Sequence, residues 1–267
     1  MSLPVVNVTV PVFNEARRLA VSLPKLHQFL SGQGDVSFEI VIADNGSKDG
    51  TLTLAKGLAR RYHGVRVMHL AEKGRGEALK TAWSRSQADI LSYMDVDLAT
   101  DLTAFPALVE TVAPGQFQLA IGSRLLPGSH TERGWKRELL SRGYMRLVRT
   151  FFQVQFSDAQ CGFKAITREA AQTVLPLVED TGWFFDTELL VLAERLGYRI
   201  GEVPVTWIDD PDSRVRVVPT AWADLKGLLR VRRNFRRGVY PDLRGSNEGD
   251  GSSGFLSKES QPSASQE

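Results

Sequence analysis

The sequence predicts an α/β fold: a mostly parallel sheet flanked by helices, with a basic amphipathic helix near the C-terminus. Three observations predict it. Short β-branched runs alternate with helical periods through the first half, the pattern of βαβ units. The runs at 38–43 and 90–94 are almost continuously apolar, as buried strands are. Between residues 221 and 235, Trp222, Leu225, Leu228, Leu229 and Phe235 recur at helical spacing among Lys226, Arg230, Arg232 and Arg233.

In chain order, a strand is predicted at Val5–Val10, then a helix at Glu15–Leu30 that tolerates Pro24. Phe38–Ala43 is a strand, 50–61 a helix, Val65–Leu70 a strand, 76–86 a helix and Ile90–Met94 a strand. A helix follows at Thr103–Val112, with Thr100, Asp101 and Thr103 as cap candidates. Leu119–Gly122 is a further short strand. The crossovers are expected to be right-handed. The second half is less regular. It holds helices at Arg137–Phe152, Arg168–Val174, Phe185–Leu196 and Ala221–Phe235, with strands at Gly162–Ile166 and Ile200–Trp207. The folded domain is expected to span residues 1–243. Residues 244–267 are mostly Gly, Ser, Glu, Asn and Gln; such a tail cannot offset its ordering entropy and is expected to be disordered.

Composition removes several function classes. The chain has 267 residues, 42% hydrophobic and 24% charged, which suits one large globular domain. A net charge of +2 and the lack of a nucleic-acid motif argue against nucleic acid as a partner. Cys161 is the single cysteine, so neither an internal disulfide nor a cysteine-based zinc site can form. No run approaches the roughly 20 apolar residues of a spanning helix. Met1–Pro4 leads into the first strand without a basic leader, so no signal peptide is expected and a cytoplasmic setting is.

The most informative motif is Asp95-Val96-Asp97, at the carboxyl end of an apolar strand. Two carboxylates one residue apart suit a hard divalent cation, which takes one or two protein carboxylates and completes its shell with phosphate oxygens. Alone, such a pair is also an ordinary acidic loop. Two more strand ends belong to the same sheet edge: Pro11-Val12-Phe13-Asn14-Glu15 and Asp44-Asn45-Gly46-Ser47-Lys48-Asp49-Gly50-Thr51. Each also reads as a polar turn with a helix cap, but an acid such as Asp44 closing a buried strand has to be paired, solvated or bound. In open parallel sheets ligands bind beyond the carboxyl ends of the strands, where these tips converge.

These motifs together resemble the family 2 glycosyltransferases of GT-A, Rossmann-like fold. Gly74-Arg75-Gly76 and Gly122-Ser123-Arg124 are similar to turns of the polyprenyl-phosphate monosaccharide synthases. Asp158-Ala159-Gln160-Cys161-Gly162-Phe163-Lys164, Trp183–Leu190 and Glu202–Trp207 resemble the dolichyl-phosphate β-glucosyltransferases. The likeness covers about residues 5–236. It departs at Asp44-Asn45, where the family often has two aspartates, and at Asp212-Ser213-Arg214, where it has Gly-Ser-Lys. Arginine keeps that charge and adds a bidentate fork. Eukaryotic glucosyl members carry an N-terminal membrane anchor that is not seen here.

The resemblance implies an inverting transfer of a hexose from a nucleotide sugar, UDP-glucose first and GDP-mannose second, to a polyprenyl or dolichyl phosphate. It implies that Pro11, Phe13, Glu15, Asp44, Asn45 and Arg75 bind the nucleotide, and that Asp97, helped by Asp95, holds Mg²⁺ or Mn²⁺. Arg124, Arg137 and Arg214 would place positive charge against the diphosphate or the acceptor phosphate. Asp158, Lys164, Asp186 and Glu188 are candidates on the acceptor side. A phosphate acceptor is already anionic at neutral pH and needs placement more than a base. None of the four histidines, His27, His63, His69 and His130, has metal-ligand spacing, and all read as structural or surface residues.

A lipid acceptor requires a membrane surface, here its cytoplasmic face. The segment from Trp135, Lys136 and Arg137 through Tyr144, Met145, Leu147, Val148, Phe151 and Phe152 combines charge with an apolar face, and 221–237 does the same. A separate membrane-anchored partner subunit is a further expectation. The alternatives are a soluble family 2 enzyme acting on a saccharide, with Asp158, Asp186 or Glu188 as base, and an inactive nucleotide-binding module.

Overall fold

The computed structural model describes residues 4–34, 37–112, 115–132, 134–208 and 217–241. The predicted tail and Arg214 lie outside the described residues, as do the side chains of Trp135 and Lys136. In chain order the first half runs β1 (Val5–Val12), α1 (Ala16–Ser31), β2 (Ser37–Asn45), α2 (Thr51–Arg61), β3 (Val65–Leu70), α3 (Arg75–Arg85), β4 (Ile90–Met94), α4 (Phe105–Val112) and β5 (Leu119–Ser123). The second half runs β6 (His130–Glu132), α5 (Trp135–Phe152), β7 (Phe163–Thr167), α6 (Arg168–Val174), α7 (Phe185–Arg195), β8 (Ile200–Pro204), β9 (Thr206–Ile208) and α8 (Val217–Arg236).

Seven strands form one sheet in the order β3-β2-β1-β4-β7-β5-β8. Every pairing in it is parallel except those of β7, which runs antiparallel to both β4 and β5. Both faces are covered. Leu19, Leu23, Leu26 and Leu30 of α1, with Ala55 and Leu58 of α2 and Leu108 of α4, close one face. Leu79 and Trp83 of α3, Met145 and Val148 of α5, Ala170 of α6, Leu189–Leu192 of α7 and Leu228 and Val231 of α8 close the other. Each large side chain so removed from water contributes about 1.5–3 kcal/mol. Burial on both sides explains why β1, β2 and β4 read as nearly continuous apolar runs.

Two local departures have physical causes. The helix expected from Thr103 begins as a 3-10 turn, Leu102–Ala104, capped by Asp101, whose Oδ1 accepts from the Thr103 amide at 2.8 Å. The strand expected over Ile200–Trp207 is broken in two. Pro204 has no amide proton to continue the ladder, and it sits opposite Ser123, the last residue of β5. The chain then leaves the sheet, and β9 pairs in parallel with β6 in a small second sheet. That ribbon puts Trp207 beside the strand tips, where Thr100 bridges to it.

Candidate active site at the strand tips

The strand register sets the geometry. Val12 at the end of β1 pairs with Asp44, and Thr9 pairs with Tyr93, two residues before Asp95. Asp44 and the Asp95–Asp97 pair therefore flank the tip of β1 on one edge of the sheet.

The loops after β1 and β2 are stitched together. The Asn14 amide donates to Ser47 Oγ (2.9 Å), the Glu15 amide donates to Thr51 Oγ1 (2.9 Å), and the Lys48 amide donates to Asn14 Oδ1 (2.7 Å). Glu15 itself pairs with Arg18 at 2.9 Å. Gly46 has a φ of +83°, and a Cβ there would lie 3.0 Å from the Ala71 carbonyl oxygen. Only glycine lets the loop after β3 pass this close. That loop sets the Lys73 ammonium 4.3 Å from the centre of the Phe13 ring. Pro11 and Asn45 are buried, while Phe13 keeps partial exposure.

Asp44 is fully buried. His69 donates from Nδ1 to its Oδ2 at 2.6 Å, while its Oδ1 has no partner. Nothing in the histidine spacing signalled this pairing. It is visible only once β2 and β3 are aligned, because Asp44 and His69 are register partners. A buried carboxylate oxygen without a donor is costly unless a ligand supplies one.

Under the Asp95 side lies a dense charge network. Arg75, at the start of α3, donates to Asp95 Oδ1 (2.9 Å) and to Asp186 Oδ2 (2.7 Å), and stacks on Tyr93 and Trp183 at 4.9 Å each. Lys164, only 2% exposed, donates to Asp186 Oδ1 (3.0 Å) and to the Tyr93 hydroxyl oxygen (3.0 Å). The Tyr93 hydroxyl also donates to Asp186. Burial pushes the Asp186 carboxyl up, but the charges of Lys164 and Arg75 outweigh it and hold the group below the usual carboxylate range. Burial and the negative charge of Asp186 push the Tyr93 phenol well up.

Arg124, just past β5, makes a bidentate pair with the fully buried Asp158 at 2.7 and 3.0 Å. Burial opposes the Asp158 charge, yet Arg124 holds its carboxyl below the usual range. The Arg124 guanidinium also lies 5.4 Å from the Trp207 ring. Trp207 lines a small cleft with Asp95, Asp97, Thr100 and Gly162. Gly162 is the floor under Asp95: a Cβ there would lie 1.8 Å from Asp95 Oδ2.

The sequence-predicted residues thus divide. Asp95, Asp97, Arg75, Asp186, Lys164, Arg124 and Asp158 belong to one connected region around the β4 tip. Pro11, Phe13, Glu15, Asp44 and Asn45 form the adjoining half. Arg137 sits half-buried in the first turn of α5. Glu188 lies apart from the tips: it takes two bonds of 2.8 Å from Arg230 and one of 2.8 Å from the Asp180 amide, and so fastens α8 to α7.

Sequence reasoning missed Asp224. It is 3% exposed on α8, its Oδ2 accepts from Gln160 Nε2 at 3.2 Å, and its Oδ1 has no partner. Burial, then Asp180 and Asp186, push its carboxyl up to about 7. Its one signal in sequence is an acid among the apolar and basic residues of an amphipathic helix.

Asp97 is exposed, and the Asp95 side chain is 41% exposed. Among the described residues no group of three His, Cys, Asp or Glu side chains is placed to hold a metal ion. A two-carboxylate donor set still fits a hard divalent cation whose remaining ligands come from a diphosphate.

Fold, strand-tip acids and glycine-floored cleft define a family, and comparison with known proteins agrees. The glycosyl transferase family 2 model matches residues 7–175. The chain belongs to this family, and its domain is a glycosyltransferase domain of GT-A fold. It is 40% identical over 218 residues to glycosyltransferase AglD of Haloferax volcanii, covering 80% of this chain and 34% of that one. The chain therefore spans about a third of the length of that relative. It is 31% identical over 250 residues to the human dolichyl-phosphate beta-glucosyltransferase, covering 88% of this chain and 76% of that one. Among solved structures, glucosyl-3-phosphoglycerate synthase of Mycobacterium tuberculosis with UDP superposes with a TM-score of 0.63 at 22% identity, over 90% of this chain and 82% of that one. At that identity the likeness concerns the fold.

Proposed function

We propose that this chain transfers a hexose, with inversion, from a nucleotide sugar to a polyprenyl phosphate at the cytoplasmic face of a membrane. UDP-glucose is the first donor and GDP-mannose the second. The observation behind the acceptor class is the fate of the candidate bases. Asp158, Asp186 and Glu188 are each spent on ion pairs, with Arg124, with Lys164 and Arg75, and with Arg230. A neutral sugar hydroxyl needs a base, whereas a phosphate monoester is largely anionic at pH 7. Relatives named for dolichyl phosphate support the same class.

On the donor side, the unpartnered Oδ1 of Asp44 suits an N–H or O–H of the nucleoside, with Phe13 and Pro11 beside it and Glu15 and Asn45 next along the loops. Asp97 and Asp95 would hold Mg²⁺ or Mn²⁺, which offsets charge on the departing diphosphate when bound. Arg75 fixes Asp95 from behind. Arg124, Arg137 and Arg214 are the cations assigned to the phosphates. No described helix is long and apolar enough to cross a membrane. Contact would come from exposed side chains such as Leu139, Leu140, Leu147, Trp222 and Leu229, or from a membrane-anchored partner subunit.

Asp224 favours a second reading. A carboxyl raised to about 7 with an unpartnered oxygen has the properties of a general base for a saccharide hydroxyl. Turnover of a nucleotide-sugar panel with farnesyl phosphate and with a free glycan separates the two. With a phosphate acceptor, Asp224→Asn is expected to keep kcat within about threefold; as the base, its loss would cost roughly 10²–10⁴-fold. Transfer to the glycan alone, or a collapse of Asp224→Asn, rejects the phosphate reading. The same variant has a stability signature. The folded-state carboxyl titrates above the unfolded one, so its ionisation penalises folding increasingly as pH rises from about 4 to 7 and by a constant amount above that. Asp224→Asn is therefore expected to gain Tm over the parent across that window and hold the gain at pH 8, roughly 2–4 °C for each kcal/mol recovered.

A further inference from the structure

At the ends of α5, α7 and α8 remote from the strand tips lies a second pocket, of about 290 Å³, lined by Phe151, Phe152, Arg195, Arg232, Phe235 and Arg236, among others. Ten residues of α7 separate it from Asp186 and Phe185, about 15 Å of helix. Phenyl rings form its walls: Phe152 meets Phe235 edge-on at 6.0 Å and Phe151 tilted at 6.1 Å. Arg195 lies 5.5 Å from the Phe235 ring and Arg232 lies 4.8 Å from the Phe151 ring.

The guanidiniums set this pocket apart. Arg230, on the same helix, has both Glu179 and Glu188 as partners. Arg195, Arg232 and Arg236 make no hydrogen bond or ion pair within the described residues; their contacts are the rings and, for Arg236, the pocket itself. Glu194 is the one carboxylate on the rim, and it accepts from the Gln155 amide at 2.8 Å. Three guanidiniums against this one carboxylate leave an excess of positive charge, and an anion seated among them removes the cost of their mutual repulsion. Guanidiniums over aromatic walls suit an anion with an apolar body rather than a bare ion.

Two exposed apolar stripes lead to this pocket. On α8, Trp222 and Leu229 are 59% and 53% exposed, and helical spacing carries that stripe on to Arg232 and Arg236. On α5, Leu140 and Leu147 are 54% and 45% exposed, and the same spacing carries that stripe to Phe151. Apolar stripes that end in unpaired cations have the layout of a surface lying in a lipid interface.

We propose that the pocket between Phe151, Phe235, Arg195, Arg232 and Arg236 binds the phosphate headgroup of an anionic phospholipid and seats the domain on the bilayer. The proposal rests on the membrane-surface part of the reading above and is independent of which sugar is moved. The test is co-sedimentation of the full chain with vesicles of phosphatidylcholine containing phosphatidylglycerol, compared with phosphatidylcholine alone. Three variants are measured: Arg195→Gln/Arg232→Gln/Arg236→Gln, the shape variant Phe235→Ala, and a charge-matched control, Lys56→Gln/Arg60→Gln/Arg85→Gln, on exposed sites elsewhere.

One cation near an anionic surface is worth about a fivefold change in partitioning. The triple pocket variant is expected to lose about 100-fold in binding to phosphatidylglycerol vesicles, against less than fivefold for the control. Transfer to farnesyl phosphate in detergent is expected to stay unchanged. Equal losses in pocket variant and control mean general charge attraction and overturn the proposal. So does unchanged binding of the triple variant, or displacement of the parent from vesicles by millimolar inorganic phosphate, which marks a free-anion site. A parent that binds vesicles through the pocket but transfers nothing to polyprenyl phosphates overturns the functional reading and leaves the pocket standing.

Discussion

Asp186→Ala is expected to cost about 3–5 kcal/mol of stability, the largest loss of any single substitution considered. The carboxylate is 4% exposed and is the shared counter-charge of Lys164 at 3.0 Å and Arg75 at 2.7 Å. Its removal leaves two buried cations around a phenol that is itself pushed far from ionising. At roughly 2–4 °C per kcal/mol for a domain of this size, Tm falls by about 10 °C. Acid supplies an internal check. The folded-state carboxyl of Asp186 titrates below its unfolded value, so its contribution is complete above about pH 4 and fades as pH falls through the depressed value. The gap between parent and variant should therefore be wide at pH 7 and narrow in strong acid. A Tm within 2 °C of the parent at pH 7 would mean that Asp95, already bonded to Arg75, suffices as counter-charge once Asp186 is gone. The network would then be redundant.

That network also shows where sequence stops being informative. Strand ends are legible because burial on both faces writes them as unbroken apolar runs; Val65–Leu70 and Ile90–Met94 are as expected to the residue. The tips follow, since an acid closing such a run stands out, and parallel strands bring their tips to one edge. Partnership across strands is not legible. His69 reads as a structural or surface residue on a strand until β3 is set beside β2 and meets Asp44. Asp158, Asp186 and Glu188 look like candidate bases in a motif, yet each is matched by a cation 34, 22 or 42 residues away in sequence. Asp224 is obscured for the same reason, since its environment comes from the loop of Gln160 and from Asp180 and Asp186. The break at Pro204 is a milder case. The alternation of 200–207 is genuine, but the chain changes sheets where β5 runs out of length.

The other large effect concerns chemistry more than stability. Gly162→Ala is expected to lower transfer by about 100-fold while leaving the protein folded. The added Cβ would fall 1.8 Å from Asp95 Oδ2 and 2.4 Å from its Cγ, so the carboxylate has to swing away. The backbone cannot give way cheaply, because the Asp95 amide donates to the Gly162 carbonyl at 3.2 Å and the next residues, Met94 and Phe163, pair in the sheet. The displaced side chain is the one that Arg75 holds at 2.9 Å. The pair proposed to hold the metal, Asp95 with Asp97, would therefore lose its geometry, and a misplacement of about 1 Å is enough for a 10²-fold loss. Asp95 is partly exposed and needs no burial to stay folded, so the stability cost should be smaller than that of Asp186→Ala. Donor binding should weaken only in its metal-dependent part, because the Asp44 half of the site is untouched. Single-turnover transfer at saturating Mn²⁺, read beside nucleotide affinity with and without the metal, separates these components. Transfer within threefold of the parent would show that Asp95 need not rest on Gly162 for the reaction to proceed, and the role assigned to the Asp95–Asp97 pair would fall with it.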